Sequence, residues 1–331
     1  MKRSFRITLV TLLLLSLTFF SQCDRGQKES DELMICSFNI QFLGSFKKRD
    51  NEAIAELLKV YDIVLIQELV SPPFDGIYPD GEAYESDTEA RIFFEAMIAR
   101  GFDYVLSEED TGPSDKIHSK SSSTEWWAAF YKKNKVKYAL DLPEGFLAED
   151  RSNNENYERV SYAFPFRSIA NEKLDFVLIS VHLAAGAQEH ERRKHELLSI
   201  VQWIEQNDDL EEDFIILGDM NIEDSTELAD FLPAGYTSLN NECRRTNTLI
   251  NSKPGGGAKP YDHVIYRPQF TSEEIDEAYD LEVVDLIGSM KASWIKPDPY
   301  PGDPYDHNLF KQYFSDHHPI VFRMGSQDLV N

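Results

Sequence analysis

Five apolar runs in this 331-residue chain stop abruptly at side chains able to hold a cation or move a proton. They are Phe38-Asn39, Leu65-Ile66-Gln67-Glu68, Ser180-Val181-His182, Leu217-Gly218-Asp219-Met220-Asn221 and Phe314-Ser315-Asp316-His317. Carboxylate and amide oxygens suit a hard, oxygen-loving ion such as Mg²⁺, and imidazoles suit proton transfer near neutral pH. Singly, each has an ordinary explanation: Asn39 as a turn residue, Glu68 as a solvated strand end, His182 as a satisfied core histidine. Together they put acids, amides and imidazoles where α/β sheets deliver ligand groups to a crevice. The sequence holds no CxxC or Cys/His zinc pattern, which argues against structural zinc.

Side chains so far apart in sequence need a sheet to gather them. Residues 34–40, 62–67, 127–131, 174–183, 213–217, 263–266 and 319–323 read as strands, most of them continuously apolar and so buried on both faces. Residues 51–60, 88–100, 189–206 and 226–231 read as helices; in the third, Leu197, Leu198, Val201 and Ile204 share a face opposite charged residues. Residues 107–123, 149–158, 251–259 and 296–308 are polar or rich in Gly and Pro and read as surface loops. An apolar fraction of 42% supports a packed core, and no repeat or composition shift marks a second domain. One α/β domain over residues 34–325 is therefore expected.

Residues 1–22 read as a lipoprotein-type signal: Lys2, Arg3 and Arg6 precede an apolar stretch too short to span a bilayer comfortably, and Cys23 follows as the expected lipidation site. An ordinary cleaved signal or N-terminal anchor is the alternative. Residues 23–33 would be a tether, and the protein is expected at the cell envelope or outside the cell, held to a bacterial membrane by its lipid. Cys36, in an apolar run, reads as a small buried residue; whether it bridges to Cys243 is open. The 58 acidic against 33 basic residues give a net charge of −25. That balance argues against gripping nucleic acid by bulk charge, but not against an enzyme that meets phosphate through a metal ion.

The segments SFNIQFLG (37–44), DIVLIQE (62–68), SVHLAAG (180–186), ILGDMN (216–221), YDHVIY (261–266) and SDHHPI (315–320) occur in an order that resembles the endonuclease/exonuclease/phosphatase superfamily, the fold of pancreatic-type deoxyribonuclease and exonuclease III. The resemblance implies a four-layer α/β (α+β) sandwich, two mixed β-sheets packed face to face with helices on both outer sides. It implies Glu68 as principal metal ligand, with Asn39 beside it and Asp316 able to join. Asp219 would orient or deprotonate the attacking water, and Asn221 would hold a phosphate oxygen. His182 and His317 would flank the phosphate as donors and general acid/base, with Asp262 paired to His317 and Glu125 to His182; Glu125 reads equally well as an exposed loop acid. The implied cofactor is Mg²⁺, with Mn²⁺ or Ca²⁺ as alternatives. The expected activity is that of a monomeric, metal-dependent phosphodiester hydrolase, a deoxyribonuclease-like endonuclease acting on extracellular nucleic acid, its partner DNA or another phosphodiester substrate. A phosphatase or phospholipase-type member is the alternative, and a catalytically dead binding protein a further one that His182, His317, Glu68 and Asp219 count against.

Departures from the deoxyribonuclease pattern bear on substrate. Gln41 and Val70 stand where that branch places groove-gripping basic residues, Ser123 replaces an aromatic, and Ala163 stands ahead of Pro165 where an Arg is common, leaving Arg159 or Arg167 as substitutes. Thr246-Asn247-Thr248 follows the nuclease branch. Arg192, Arg193 and Lys194 read as a helix face neutralised by neighbouring acids, and Glu108-Glu109-Asp110 as a solvated loop. His263 and His318 are expected in packing or solvent.

Overall fold

The computed structural model describes residues 32–250, 257–275 and 281–325, which fold as one compact unit. The expected signal, the lipidation site Cys23, all but the last two tether residues and most of the 251–259 loop lie outside the described residues. Two large mixed sheets carry the architecture. In the first, the order is Glu282–Val283, Ile320–Met324, Leu33–Leu43, Ile63–Leu69, Trp126–Tyr131, Asp103–Leu106; in the second, Thr237–Ser238, Asp262–Tyr266, Phe214–Asp219, Asp175–His182, Tyr162–Ser168, Val136–Tyr138, with Gly145–Phe146 also on Tyr162–Ser168. Each sheet has one parallel pair near its centre, Leu33–Leu43 with Ile63–Leu69 and Asp175–His182 with Phe214–Asp219.

Strand alternation explains the layering, because successive side chains leave opposite faces. Ile63 and Leu65 enter the core between the sheets with Trp127, Phe164, Phe176 and Leu217, while Val64 and Ile66 face the outer layer of Ile54, Leu58, Phe93, Met97 and Phe310. In the second sheet Ile179 and Ile216 pack outward on Leu197, Ile200, Leu228 and Phe231. The result is the expected four-layer sandwich. Burying roughly 1.5–3 kcal/mol of transfer free energy per large side chain, these three cores fix the strand tips that carry the polar residues. Cys36 is buried and Cys243 half-buried, and neither is bridged.

The elements differ from the sequence reading in informative places. Tyr162–Ser168 is a strand although Pro165 sits in it; the outer neighbours pair at 162–163 and 166–168, so neither outer ladder requires the Pro165 N–H. His307–Tyr313 and Leu286–Ser293 are helices, capped by Asp306 and Asp285. Two surface assignments are corrected. Arg193 is 1% exposed, paired with Glu227 and donating to the Ala184 and Gly186 carbonyls; the helix turns that one member of the basic cluster inward while Arg192 and Lys194 stay outside. Glu109 and Asp110 are buried rather than solvated, because the 107–123 loop folds back over its own acids to pair Glu109 with His118 and Arg151.

Candidate active site

The tips of both sheets meet at one crevice. Strand register sets Asn39 beside Gln67 in the first sheet, and His182 beside Asp219 and Asp219 beside Asp262 in the second. A buried polar chain crosses between the sheets just below, from Ser37 Oγ to Gln67 Oε1 (3.3 Å) and Gln67 Nε2 to Ser180 Oγ (3.1 Å). Above it, Asn39 Nδ2 donates to Glu68 Oε1 and to Asp219 Oδ2, both at 2.9 Å, so one amide ties the acids of the two sheets. Its oxygen accepts from the Gln41 N–H at 3.0 Å; Asn39 thus stands here as a bridge, and as a ligand it would have to turn its amide over. Gln41, Phe42, Glu68 and Asn221 all have left-handed backbones, φ 57, 51, 61 and 52. Such conformations are costly for residues with a side chain and cluster at functional sites.

The two histidines are built alike. His317 Nδ1 lies 2.8 Å from Asp262 Oδ2, and His182 Nδ1 lies 2.8 Å from Glu125 Oε1, which Arg159 Nε also meets at 2.7 Å. Each carboxylate turns the other ring nitrogen toward the crevice, and both Nε2 atoms converge on Asp219 Oδ2, at 3.5 Å from His317 and 3.6 Å from His182. Glu125, read equally as a loop acid, is fully buried. Burial alone would lower both imidazole pKa values, but the facing carboxylates win: His317 is held well above its ordinary value by Asp262 and Asp219, and His182 is raised by Glu125 and Asp219. Burial pushes the Glu68 and Asp219 carboxyls up, against the pull of the histidines. Burial also works against charge on Glu125 and Asp262, but Arg159 and His182 in one case and His317 in the other hold them below the usual range.

The donor set fits a hard divalent cation. Glu68, His182 and Asp219 each offer an atom within 4.8 Å of the others. Asp316 gives one oxygen to Gln41 Nε2 at 2.6 Å and leaves Oδ1 buried without a hydrogen-bond partner. The oxygens of Glu68, Asp219 and Asp316, with no thiolate among them, match Mg²⁺ or Mn²⁺ and leave the His182 ring free for hydrogen bonding. Asn221 lies at the edge of the group: its N–H donates to Asp219 Oδ1 at 2.9 Å, and one hydrogen of its amide goes to the Leu183 carbonyl at 3.1 Å, leaving the second free to donate.

Several supporting residues carry no local signal. Arg49 is buried and donates to the carbonyls of Ile40 (2.5 Å), Gln41 and Phe314, with Glu89 2.6 Å from its Nε, so it joins the segment after Asn39 to the one before Asp316. Glu196 accepts from the Ala184 N–H at 2.8 Å and from the Glu158 N–H, joining the end of the His182 strand to the segment bearing Arg159. Of the two arginines offered as substitutes, Arg159 reaches the site and Arg167 instead pairs with Asp141 and Asp175. Thr246–Thr248 lies against the histidine: Thr246 Oγ1 accepts from Asp262 N (3.0 Å), Asn247 bridges to His317, and Thr248 N donates to Asp316 O (2.7 Å). His263 is buried beside Ser238 Oγ at 2.9 Å, its pKa lowered to about 4 by burial, and takes no part.

A two-sheet sandwich with paired His–carboxylate units around buried acids defines a phosphoester-hydrolase class of site. Residues 36–317 match the Endonuclease/Exonuclease/phosphatase family model, and the chain belongs to that family. No curated protein matches it in sequence. Among solved structures, a mannosyl-6-phosphatase of Bacteroides thetaiotaomicron aligns with TM-score 0.56 at 15% identity, covering 88% of this chain and 99% of that one. TDP2 of D. rerio, complexed with a single-strand DNA product, aligns at 0.53 and 17%, covering 89% and 99%. The human Nocturnin catalytic domain aligns at 0.52 and 15%, covering 88% and 93%. At these identities the likeness is one of fold.

Proposed function

We propose that this protein is a divalent-cation-dependent phosphoester hydrolase that attacks phosphorus with water. The observation that carries the reading is the convergence of Asn39 Nδ2 and two imidazole Nε2 atoms on Asp219 Oδ2. Glu68 and Asp219, with Asp316, would hold the ion; when bound, it supplies positive charge at a phosphoryl oxygen and eases ionisation of water. Asp219, its proton affinity raised by burial, takes a proton from the attacking water. The imidazoliums of His182 and His317 donate to phosphoryl oxygens, where preorganised donors are worth most. One of them then protonates the departing alkoxide as its P–O bond breaks. The proton on Asp219 returns to that ring across the 3.5–3.6 Å gap, and the site is reset.

The purified full chain should release p-nitrophenol from p-nitrophenyl phosphate or its diester with Mg²⁺ or Mn²⁺, and stop when EDTA is added. No turnover with Mg²⁺, Mn²⁺ or Ca²⁺ would overturn the reading. An endonuclease is the second reading, favoured by the Thr246–Thr248 arm on His317 and tested by plasmid nicking under the same conditions. The names of the structural neighbours cover both ester types, a phosphatase and a protein holding single-strand DNA. For location, we retain lipid anchoring at Cys23: Cys23→Ala should leave the protein unprocessed or released, and membrane retention of a processed Cys23→Ala product would contradict it.

A further inference from the structure

Glu68 stands at a gap in its own sheet. On one side Gln67 pairs with Asn39 and Leu69 with Leu43, so the residues from Ile40 to Phe42 pass a single Glu68; on the other side Ile66 pairs with Ala128 and Leu69 with Trp126. Neither neighbouring strand therefore gives Glu68 a paired residue, and its backbone is left-handed there, φ 61, a conformation that persists only where its surroundings impose it. A buried N–H in such a gap still needs an acceptor. A side chain supplies it: the Glu68 N–H donates to Glu125 Oε2 at 3.1 Å. The adjoining gap is filled in the same way, because Phe42 donates its N–H to Glu68 Oε2 at 3.0 Å.

Glu125 reaches this gap because it immediately precedes the Trp126–Tyr131 strand, which pairs with the strand of Glu68. Its own backbone exchanges hydrogen bonds with Thr111, Glu125 N to Thr111 O at 2.7 Å and Thr111 N to Glu125 O at 2.8 Å, and Thr111 Oγ1 accepts from the Val160 N–H at 3.3 Å. The carboxylate is thus held from both the 107–123 loop and the segment that bears Arg159. Glu125 is fully buried, and its two oxygens face different halves of the site. Oε1 meets His182 Nδ1 and Arg159 Nε, on the side that moves protons; Oε2 meets the backbone of Glu68, on the side that would hold the cation. The pairing with His182 accounts for one oxygen and leaves the other to be explained.

We propose that Glu125 is a positioning residue for the divalent cation as well as for His182: through the Glu68 N–H it holds a left-handed residue, and with it the Glu68 carboxylate, in the orientation the ion requires, without being a ligand itself. This rests on the reading of Glu68 as a cation ligand in the hydrolase above. Removing a group that orients a metal ligand typically costs roughly 10–100-fold in affinity. Titration of the substrate-free full chain with Mn²⁺, the free ion followed by electron paramagnetic resonance, should therefore show binding weaker by about tenfold or more in Glu125→Ala. His182→Ala removes the ring but leaves the contact to Glu68, and should bind Mn²⁺ as the wild type does. In turnover both variants lose kcat, but only Glu125→Ala should raise the half-saturating metal concentration, by the same factor. If Glu125→Ala does not melt cooperatively, Glu125→Ala combined with Arg159→Met, which leaves no buried guanidinium unpaired, carries the same expectation. Wild-type Mn²⁺ affinity in the Glu125 variant, or an equal loss in Glu125→Ala and His182→Ala, would overturn the proposal and leave the hydrolase standing. If Mn²⁺ binding weakens as expected but the wild type cleaves no ester, the hydrolase reading falls and the positioning role stands.

Discussion

One oxygen, Asp219 Oδ2, is the meeting point of the three donors at the site, and the consequences of single substitutions follow from that. His317→Ala removes one donor together with the partner of Asp262, and should cost roughly 10²–10⁴ in kcat with the circular-dichroism spectrum intact. A loss of tenfold or less would show that His317 does not carry a proton. A separate prediction concerns Glu196, whose carboxyl is raised from 4.5 to about 7 by burial despite two backbone N–H donors. The folded state then binds the proton more tightly than the unfolded chain, so this group's contribution is complete below pH 4.5 and is lost as pH rises to 7, by roughly 3 kcal/mol at most. Glu196→Gln should flatten the fall of the melting temperature between pH 5 and 8; an unchanged slope would mean that Glu196 is ionised throughout. Asp219, Glu68 and His182 were legible because each interrupts an apolar run. Arg49 and Glu196 were not, since charged residues on helices or in loops look alike whether they face water or a distant carbonyl, and only the tertiary fold decides.

At the scale of the elements, the acids are held by strand ends pressed close together. Gly218, φ +140, precedes Asp219, and a Cβ there would come within 2.2 Å of the Val181 carbonyl oxygen of the parallel neighbour. Neither strand can yield, as both are buried between helix and sheet. Gly218→Ala should therefore cost at least about 2 kcal/mol, seen as a lower urea midpoint, and should depress turnover by shifting both Asp219 and His182; wild-type values for both would show that the strands separate freely. Arg49 serves the first sheet in the same way. Arg49→Met leaves three carbonyls without their donor and the half-buried Glu89 with only the Gly44 N–H, and should cost up to about 3 kcal/mol, measurable by the same titration. The central strands were readable from their continuous apolar runs. Tyr162–Ser168 was hidden by Pro165, and His307–Tyr313 by a Pro- and Asp-rich approach that reads as loop until its cap is seen.

For the whole molecule, a charge of −25 sets how it meets anions. If the ion and two imidazoliums supply the positive field locally, the logarithm of kcat/KM for a small phosphate ester should change little with salt. A steep negative slope would instead signal many released counterions and a long nucleic-acid footprint. Removing the ion leaves the acids at the crevice facing one another, so EDTA should abolish turnover, and restoring Mg²⁺ to a hundredfold excess over its dissociation constant should stabilise the fold by about 2.7 kcal/mol. A melting temperature indifferent to Mg²⁺ would place the ion elsewhere. The four-layer architecture was legible because the ordered motifs resemble a known family; the stack of Tyr78, His118 and Trp126 was not, because these rings are neighbours only after the two-stranded hairpin of Gly76–Ile77 and Ala83–Tyr84 and the 107–123 loop fold over one strand end. The pairing of Leu33–Leu43 with Ile320–Met324 has a temporal corollary. The earliest strand of the sandwich waits for its partner until nearly three hundred further residues have emerged, and His317 arrives with that partner. On the hydrolase reading, a chain interrupted before His317 should therefore turn over no ester, and turnover by such a fragment would show that the closing strand is dispensable.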